Sequence, residues 1–347
     1  MLRLSVLDQS PVRQGATPSQ AIRETIDLAK HCDRLGYHRY WLAEHHGTPG
    51  LAGSTPEVLI PAVAGATERI RAGSGGVMLS HYSPYKVAEN FRMLETLFPG
   101  RIDLGIGRAP GGDRRTIMAM SYGTGGIPIE LYPRQVSDLI GFLANDLEAD
   151  NPFRGMETMP TGQSAPALWM LGSSGESARV AAYFGCPYSF AHFITDQGGV
   201  EAMAAYRDQF RPSSRLAAPE GSIGVFVLCA ETEEEARHHA ASRDLWRLRL
   251  ERGELGPFPP PEEALAYDYS AAEMLRVEEN RRRQVVGDPA QCRARLEAYA
   301  ESYGVDEVVV VTITHDFAAR IRSYEFLAEV FGMGMGMVET GQREAGD

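Results

Sequence analysis

The sequence predicts an α/β protein built as a (β/α)8 barrel, a TIM barrel, with inserted loop or lid segments. Its 347 residues are enough for one large barrel. Short apolar, β-type runs alternate with amphipathic helical stretches along the chain. The runs are apolar at successive positions, which is typical of parallel strands covered by helices on both faces. Eight such runs favour a closed barrel over an open doubly wound sheet.

The predicted strands, in chain order, are LRLSVLD, HRYWLAEH, RAGSGGVML, RIDLGIG, PALWMLGS, PYSFAHF, IGVFVLCA and DEVVVVTIT. Helical spacing predicts helices between them, such as PSQAIRETIDLAKHCDRLG and SPYKVAENFRMLETL, and several end at a glycine suited to a C-cap. Three stretches do not fit a minimal barrel, and we predict insertions near 112–132, 147–165 and 253–287. We therefore expect one domain over residues 1–332 and a flexible tail over 333–347.

Composition argues against several classes of protein. The chain is 44 % hydrophobic and 23 % charged, as in ordinary globular proteins. It contains no apolar stretch near the roughly 18–20 residues that span a bilayer, and no secretory leader is evident, so we expect a cytoplasmic protein. The net charge of −12 disfavours nucleic-acid and anionic-membrane surfaces. The four cysteines are far apart and lack metal-ligand spacing, so we expect buried reduced thiols and no metal site.

Polar and glycine-rich clusters follow the second to fifth predicted strands, at the ends where barrel enzymes carry their chemistry. The second strand ends in AEHH. Because neighbouring strand residues point to opposite faces, His45 and His46 are not both expected to project into the barrel mouth. One is expected to bind or react while the other lies in the wall. A structural histidine with its tautomer fixed by Glu44 is the alternative, and metal ligation is a weaker one.

The sequence LGSSGES, residues 171–177, predicts an anion site. A strand leads through glycine and hydroxyl residues into a helix, which places backbone N–H groups and the positive end of a helix dipole at the barrel rim. Ser173, Ser174 and Ser177 could add hydroxyl donors. The alternative is an ordinary helix start in which Ser173 and Glu176 form a capping box. Arg108, after the fourth strand, could reach the same side of the mouth and bind phosphate oxygens.

Two glycine-rich stretches have different interpretations. GIGRAPGG, residues 105–112, is a poor dinucleotide fingerprint because proline occupies its third glycine position, so no integral nicotinamide domain is predicted. GSGG, residues 73–76, interrupts a strand interior, where glycine weakens packing. Close approach of a flat ligand to the backbone is one explanation, and a bulge is the other.

The order LAEHH, GSGGVMLSHYSPYKVAENFRMLETLFPGRIDLGIGRAPGGD, LGSSGESARVAAYFGCPYSFAHF and RIRSYEFLAEVFG resembles the bacterial-luciferase-like flavin-dependent monooxygenases, over residues 4–193 and again over 285–332. The resemblance implies reduced FMN (FMNH2) at the strand ends and O2 as co-substrate, activated as a peroxide at flavin C4a. It implies insertion of one oxygen atom into a small organic metabolite, with a tailoring step in secondary metabolism as one setting. It also implies a separate NAD(P)H-dependent flavin reductase and a homodimer.

The resemblance assigns roles to individual residues. His45 matches the catalytic histidine. The FMN-binding positions are Gly75 and Gly76, which match a non-proline cis peptide under the flavin ring, and the phosphate-side residues Arg108, Gly172, Ser173, Ser174 and Ser177; Arg134 could join them. On the substrate side we expect Gln9, His46 and Tyr82, with parts of the 112–132 and 253–287 insertions overhanging the mouth.

Gly107 stands where luciferase itself has a reactive cysteine, so light emission is not implied. Two alternatives remain on the same barrel: a flavin-binding protein without turnover and a deazaflavin-dependent oxidoreductase. A metal-dependent barrel hydrolase is the remaining interpretation if no flavin binds.

Overall fold

The structure is a computed structural model that describes residues 2–108, 114–122, 127–162 and 164–334. Its strands in this part of the chain form one parallel sheet. They are β1 (Arg3–Asp8), β2 (Arg39–Leu42), β3 (Arg71–Met78), β4 (Ile102–Gly107), β5 (Ala167–Gly172), β6 (Tyr188–Ala191), β7 (Gly221–Cys229), β8 (Gln284–Gly287) and β9 (Glu307–Val311). Strands β1 to β7 are neighbours in sequence order, β7 pairs with β9, and β9 pairs with β1, which closes a barrel of eight strands. The predicted (β/α)8 fold is confirmed.

Strand β8 was not predicted, and it lies at the end of the predicted insertion 253–287. Phe226 of β7 pairs with Gln284 of β8 and with Val311 of β9, so these two strands flank opposite edges of β7. Strand β8 continues along the edge of β7 whose first half pairs with β6. It has only four residues, QVVG, directly after a run of arginines. So short an apolar run gives no recognisable strand signal.

Helices in the described ranges surround the barrel: α1 (Pro18–Leu35), α2 (Pro56–Gly65), α3 (Pro84–Leu97), α4 (Arg114–Met120), α5 (Tyr132–Ala144), α6 (Gly175–Tyr183), α7 (Gly199–Asp208), α8 (Glu233–Glu251), α9 (Pro261–Ala266), α10 (Ala271–Arg281), α11 (Pro289–Tyr303) and α12 (Phe317–Val330). Their ends follow the local sequence. In α1 the Thr17 side chain accepts the Gln20 N–H, and Gly36 ends the helix with a φ of 86° that suits glycine. None of these helices is both long and apolar enough to cross a membrane.

The predicted insertions differ in content. The first contains α4 and a 3-10 helix at Ile129–Leu131, while residues 109–113 and 123–126 lie outside the described part of the chain. The second, 147–165, has no helix or strand among its described residues, and Gln163 is outside them. The third contains α9, α10 and β8. The predicted flexible tail falls outside the described residues from position 335 onward.

The barrel interior is filled at the amino-terminal ends of the strands. Arg39 donates from Nη1 to Asp103 Oδ2 at 3.0 Å and from Nε to Glu307 Oε1 at 2.8 Å, and its guanidinium lies 4.5 Å from the Trp169 ring centroid. Above this network pack large apolar side chains that include Trp41 and Trp169. Because the lower barrel is packed, space for a ligand is left at the carboxyl ends of the strands. All four cysteines are buried and free.

Candidate active site

A cavity of about 460 Å³ opens at the carboxyl ends of the strands. This volume is in the range of cofactor and substrate pockets, roughly 300–1,000 Å³. Many of the residues predicted from the sequence line it: Gln9, His45, Gly75, Gly76, Arg108, Gly172, Ser173, Ser174 and Ser177. Gly75 and Gly76 lie within β3, and the others end or follow strands β1, β2, β4 and β5, which are all neighbours in the sheet with β3. Barrel closure therefore brings together side chains that are far apart in sequence.

One end of the cavity is the amino terminus of α6. Ser174 is the N-cap, and its Oγ accepts the backbone N–H of Ser177 at 3.4 Å. The Ser177 hydroxyl donates to the Ser174 carbonyl at 2.8 Å. Tyr188, which the sequence reasoning missed, donates to the same carbonyl at 3.2 Å and lies 3.0 Å from Ser177 Oγ. Burial raises the pKa of Tyr188 to about 12, so its hydroxyl stays protonated and braces this loop.

Arg108 reaches this helix start from the end of β4. Its Nη1 lies 2.5 Å from Glu176 Oε2, and both side chains are partly exposed. The capping box between Ser173 and Glu176 is therefore not formed: Ser174 caps the helix, and Glu176 pairs with Arg108 instead. Arg134 is not part of the cluster, since its Nε pairs with Asp138 in the next turn of α5 at 3.1 Å. Helix N–H groups, two hydroxyls and a guanidinium thus converge on one small region.

The glycines of β3 form a flat backbone surface on the cavity. The peptide between Gly75 and Gly76 is cis, as the resemblance implied, and the pairing register with β4 shifts between Gly75 and Val77. A Cβ on Gly76 would lie 2.7 Å from the Gly105 carbonyl oxygen and 2.7 Å from a Leu171 methyl carbon. No side chain fits there. The register shift confirms the bulge explanation of GSGG. Close approach of a flat ligand stays a prediction, and the Gly75 and Gly76 backbone faces the cavity where such a ligand would lie.

His45 lines the cavity just beyond β2. Its backbone N–H donates to the Gly53 carbonyl at 2.8 Å, which fixes the chain at this position. Its side-chain Nδ1 is buried and has no hydrogen-bond partner among the described residues. Burial, and secondarily the neighbouring His46, lower the pKa of His45 to about 4. The imidazole is therefore neutral at pH 7, with one donor and one acceptor nitrogen.

Glu44 organises the wall behind His45. Its Oε1 accepts the Tyr82 hydroxyl at 2.6 Å and lies 2.7 Å from His46 Nε2, and its Oε2 accepts the Met78 N–H at 2.9 Å. Glu44 thus braces His46 and not His45. His46 and Tyr82, predicted on the substrate side, are turned toward this carboxylate and are not among the residues that line the cavity. Glu44 itself does line it.

The remaining walls are mostly apolar. Ile129, in the predicted insertion 112–132, lines the cavity, whereas no residue of 253–287 does. Only the first of the two insertions expected over the mouth therefore contributes there. Phe193 and Ile194, which follow β6, also line it and were missed. In the described part of the chain, His, Cys, Asp and Glu side chains form no group of three or more that could hold a metal ion.

The lowered pKa of His45 has a consequence for stability. As the pH falls, His45 is protonated in the unfolded chain at its ordinary pKa of 6.5, whereas in the folded protein it stays neutral until about pH 4. The free energy of unfolding linked to neutral His45 is therefore fully present above pH 6.5 and is lost as the pH falls toward about 4. We expect urea unfolding to show a smaller loss of stability between about pH 7 and about pH 5 in His45→Gln than in the wild type. Equal losses would contradict the assignment.

Gly172 leaves the space that Ser177 occupies. A Cβ at this position would overlap the Oγ and Cβ atoms of Ser177. We expect Gly172→Ala to lower the free energy of unfolding by about 1–3 kcal/mol, because the first turn of α6 must shift. Gly175→Ala is the matched control: its Cβ would meet only Arg179 Nη1, at 3.9 Å, and alanine favours the helix. Chemical denaturation of both variants measures the difference, and equal stabilities would contradict the prediction.

Comparison with known proteins identifies the family. The sequence profile described as luciferase-like monooxygenase matches residues 2–307. The chain belongs to the luciferase-like monooxygenase family. It is 38 % identical over 331 residues to a luciferase-like monooxygenase of Escherichia coli strain K12, covering 95 % of this chain and 97 % of that protein. It is 34 % identical over 333 residues to the N-acetyl-S-alkylcysteine monooxygenase of Bacillus subtilis strain 168, covering 95 % and 98 %.

Several solved structures share the barrel. The crystal structure of apo-MsnO8 matches with a TM-score of 0.88 and 41 % identity, covering 96 % of this chain and 99 % of that one. The oxygenating constituent of 3,6-diketocamphane monooxygenase from Pseudomonas putida, solved with FMN, matches at 0.66 and 19 %, covering 95 % and 97 %. An F420-dependent secondary alcohol dehydrogenase matches at 0.69 and 13 %, covering 95 % and 98 %. At such low identities the last two likenesses concern the fold alone.

Proposed function

We propose that this family member is an FMN-dependent monooxygenase. In this proposal it receives reduced FMN from a separate NAD(P)H-dependent flavin reductase and inserts one atom of O2 into a small organic molecule. The observation that carries the proposal is the cluster at the start of α6, where Arg108, Ser174 and Ser177 converge at one end of the cavity. A flavin phosphate has the charge and the acceptor oxygens that suit such a cluster.

The residues of the cavity fit FMN in two further respects. The Gly75–Gly76 backbone leaves no side chain between the cavity and the strands, so a flat ring can lie directly against it. The buried Nδ1 of His45 has no partner among the described residues, which leaves a polar atom beside the same surface. An uncompensated buried polar atom costs free energy, and a ligand group would satisfy it.

We assign each residue a part in the reaction. Arg108 and the α6 terminus hold the phosphate and thereby fix the position of the ring. When bound, reduced FMN supplies the two electrons with which one atom of O2 enters the substrate and the other leaves as water. Neutral His45 donates or accepts a proton beside the ring. Leu171 and Phe193 exclude water from this side of the cavity.

The deazaflavin alternative rests on the likeness of fold to F420-dependent enzymes. The cofactor F420 has a longer acidic tail than FMN and requires more cationic side chains beyond the phosphate. Next to Arg108, the side chain at the start of α6 is the carboxylate of Glu176. This negative charge opposes any phosphate, but it opposes a longer acidic tail more than the single phosphate of FMN, because like charges repel.

The proposal is tested by labelling with ¹⁸O2. The chain is supplied with FMN, NADH, a flavin reductase and N-acetyl-S-methylcysteine, a probe chosen because of the Bacillus subtilis relative. We expect an oxygenated product that contains one ¹⁸O atom and forms only when both FMN and reductase are present. Product that forms without FMN, or that takes its oxygen from water, would overturn the proposal. A panel of small organic acids extends the test if this thioether is not accepted.

A further inference from the structure

Arg243 of α8 is a buried cation without a partner. The residue is 8 % exposed. Its Nε and Nη1 atoms are buried and have no hydrogen-bond acceptor among the described residues. The guanidinium carbon lies 3.4 Å from the centroid of the Phe226 ring, which is a cation–π contact. Such a contact does not replace the two missing hydrogen bonds, so the guanidinium has unused donors.

The position of Arg243 is close to the candidate cavity. Phe226 packs in the upper barrel interior with Leu7 and Val311. Its ring contacts the Phe193 ring, with centroids 5.4 Å apart and planes at 68°. Leu7 and Phe193 both line the cavity. The Phe226 ring, with Phe193 beside it, therefore lies between the guanidinium and the cavity. Arg243 adjoins residues of β7 and β9, whereas the phosphate cluster lies at the ends of β4 and β5.

The charges around Arg243 do not neutralise it. Its neighbour Asp244 already accepts from Arg281 Nε at 2.8 Å and from Gln284 Nε2 at 3.4 Å. Arg247 and Arg283 add positive charge nearby. Burial, with these two cations, lowers the pKa of Arg243 to about 9 in spite of Asp244, so it still carries its charge at pH 7. A buried charge that lacks a partner is strongly unfavourable unless a ligand compensates it.

We propose that Arg243 binds the carboxylate of an organic-acid substrate whose apolar body lies in the cavity, beside Leu7 and Phe193. This inference rests on the proposed function, since it names the substrate class of the same cavity. A void of only about 10 Å³ adjoins Arg243 and Phe226. It is also lined by Val311, the last residue of β9, and by Ile313, which follows that strand. The Phe226 side chain must therefore rotate to admit the carboxylate. Guanidinium and carboxylate then form a bidentate pair.

The test compares sodium benzoate with benzamide, which has the same ring and no charge. Titration calorimetry of the FMN-loaded wild type is expected to give tighter binding of benzoate. In Arg243→Met the Kd of benzoate should rise at least about 10-fold, the size of a charge-assisted contact, while that of benzamide should not change. Arg247→Met is the matched control, because Arg247 lies one turn further along α8 and pairs with Glu251 at 2.8 Å. It should bind benzoate as the wild type does.

Two further readouts separate this inference from a packing role and from the proposed function. Removing an unpaired buried charge should raise the Tm of Arg243→Met in the absence of benzoate, whereas loss of a structural contact would lower it. The titrations are repeated on flavin-free protein. If FMN does not bind, the proposed function fails, but the benzoate comparison still decides the role of Arg243. Benzoate that binds the wild type no better than benzamide, or binds Arg243→Met equally well, overturns the inference.

Discussion

Arg108→Ala is expected to weaken FMN binding about 10- to 100-fold while leaving riboflavin binding nearly unchanged. Riboflavin has the same ring system and lacks only the phosphate. The guanidinium of Arg108 lies beside the amino terminus of α6, so its loss removes charge from the phosphate end alone. Fluorescence titration of both ligands measures the two dissociation constants. Equal weakening of FMN and riboflavin would remove Arg108 from the phosphate site.

Glu176→Gln provides a control with the opposite sign. The Glu176 carboxylate lies 2.5 Å from Arg108 Nη1, and a bound phosphate must compete with it. Removing that carboxylate is expected to tighten FMN binding by about 2- to 5-fold, the scale of a partly exposed ion pair. Riboflavin binding should again be unaffected. If Glu176→Gln instead weakened FMN binding, Glu176 would have to stabilise the bound state.

His45→Ala is expected to reduce oxygenation about 10²- to 10⁴-fold, the range for loss of a general acid or base. FMN affinity should be retained, because the phosphate-binding groups lie on β4, β5 and α6. Single-turnover measurements with reduced FMN separate the chemical step from reductase supply. His45 lines the cavity, and its buried Nδ1 has no hydrogen-bond partner among the described residues. We therefore expect its loss to slow the oxygenation step and not to weaken FMN binding.

His46→Gln is the matched control for His45→Ala. Glutamine can keep a hydrogen bond to Glu44, and His46 is not among the cavity-lining residues. We expect turnover within a few-fold of the wild type, since the His46 side chain contacts Glu44 and does not line the cavity. Unchanged turnover in His45→Ala, or a larger loss in His46→Gln, would exchange the roles given to the two histidines.

The barrel and the location of its mouth could be predicted because both follow from short-range patterns. Apolar runs alternate with helices, and polar residues such as His45 and Arg108 come directly after strands. Parallel barrel strands have their carboxyl ends on one face, so the proximity of these polar clusters can be inferred from the sequence alone. Strand β8 escaped prediction because its four residues carry no periodicity.

Contacts that depend on tertiary packing could not be predicted in this way. The link from Glu44 to Met78 and Tyr82 joins residues more than 30 positions apart, and no local pattern signals it. It accounts for the position of His46 and Tyr82, which contact Glu44 and are not among the residues that line the cavity. Arg243 looks like a surface arginine within a charged helix, and only the folded chain buries it. The sequence offered Ser173 and Glu176 as a capping box, but Ser174 is the N-cap and Glu176 pairs with Arg108 from a different strand end.

Titration of the wild type with FMN, riboflavin and F420 tests whether the cavity is an FMN site. We expect FMN to bind at least about 10-fold more tightly than riboflavin, because of the phosphate contacts, and more tightly than F420. Equal affinities for FMN and riboflavin, or tighter binding of F420, would contradict it.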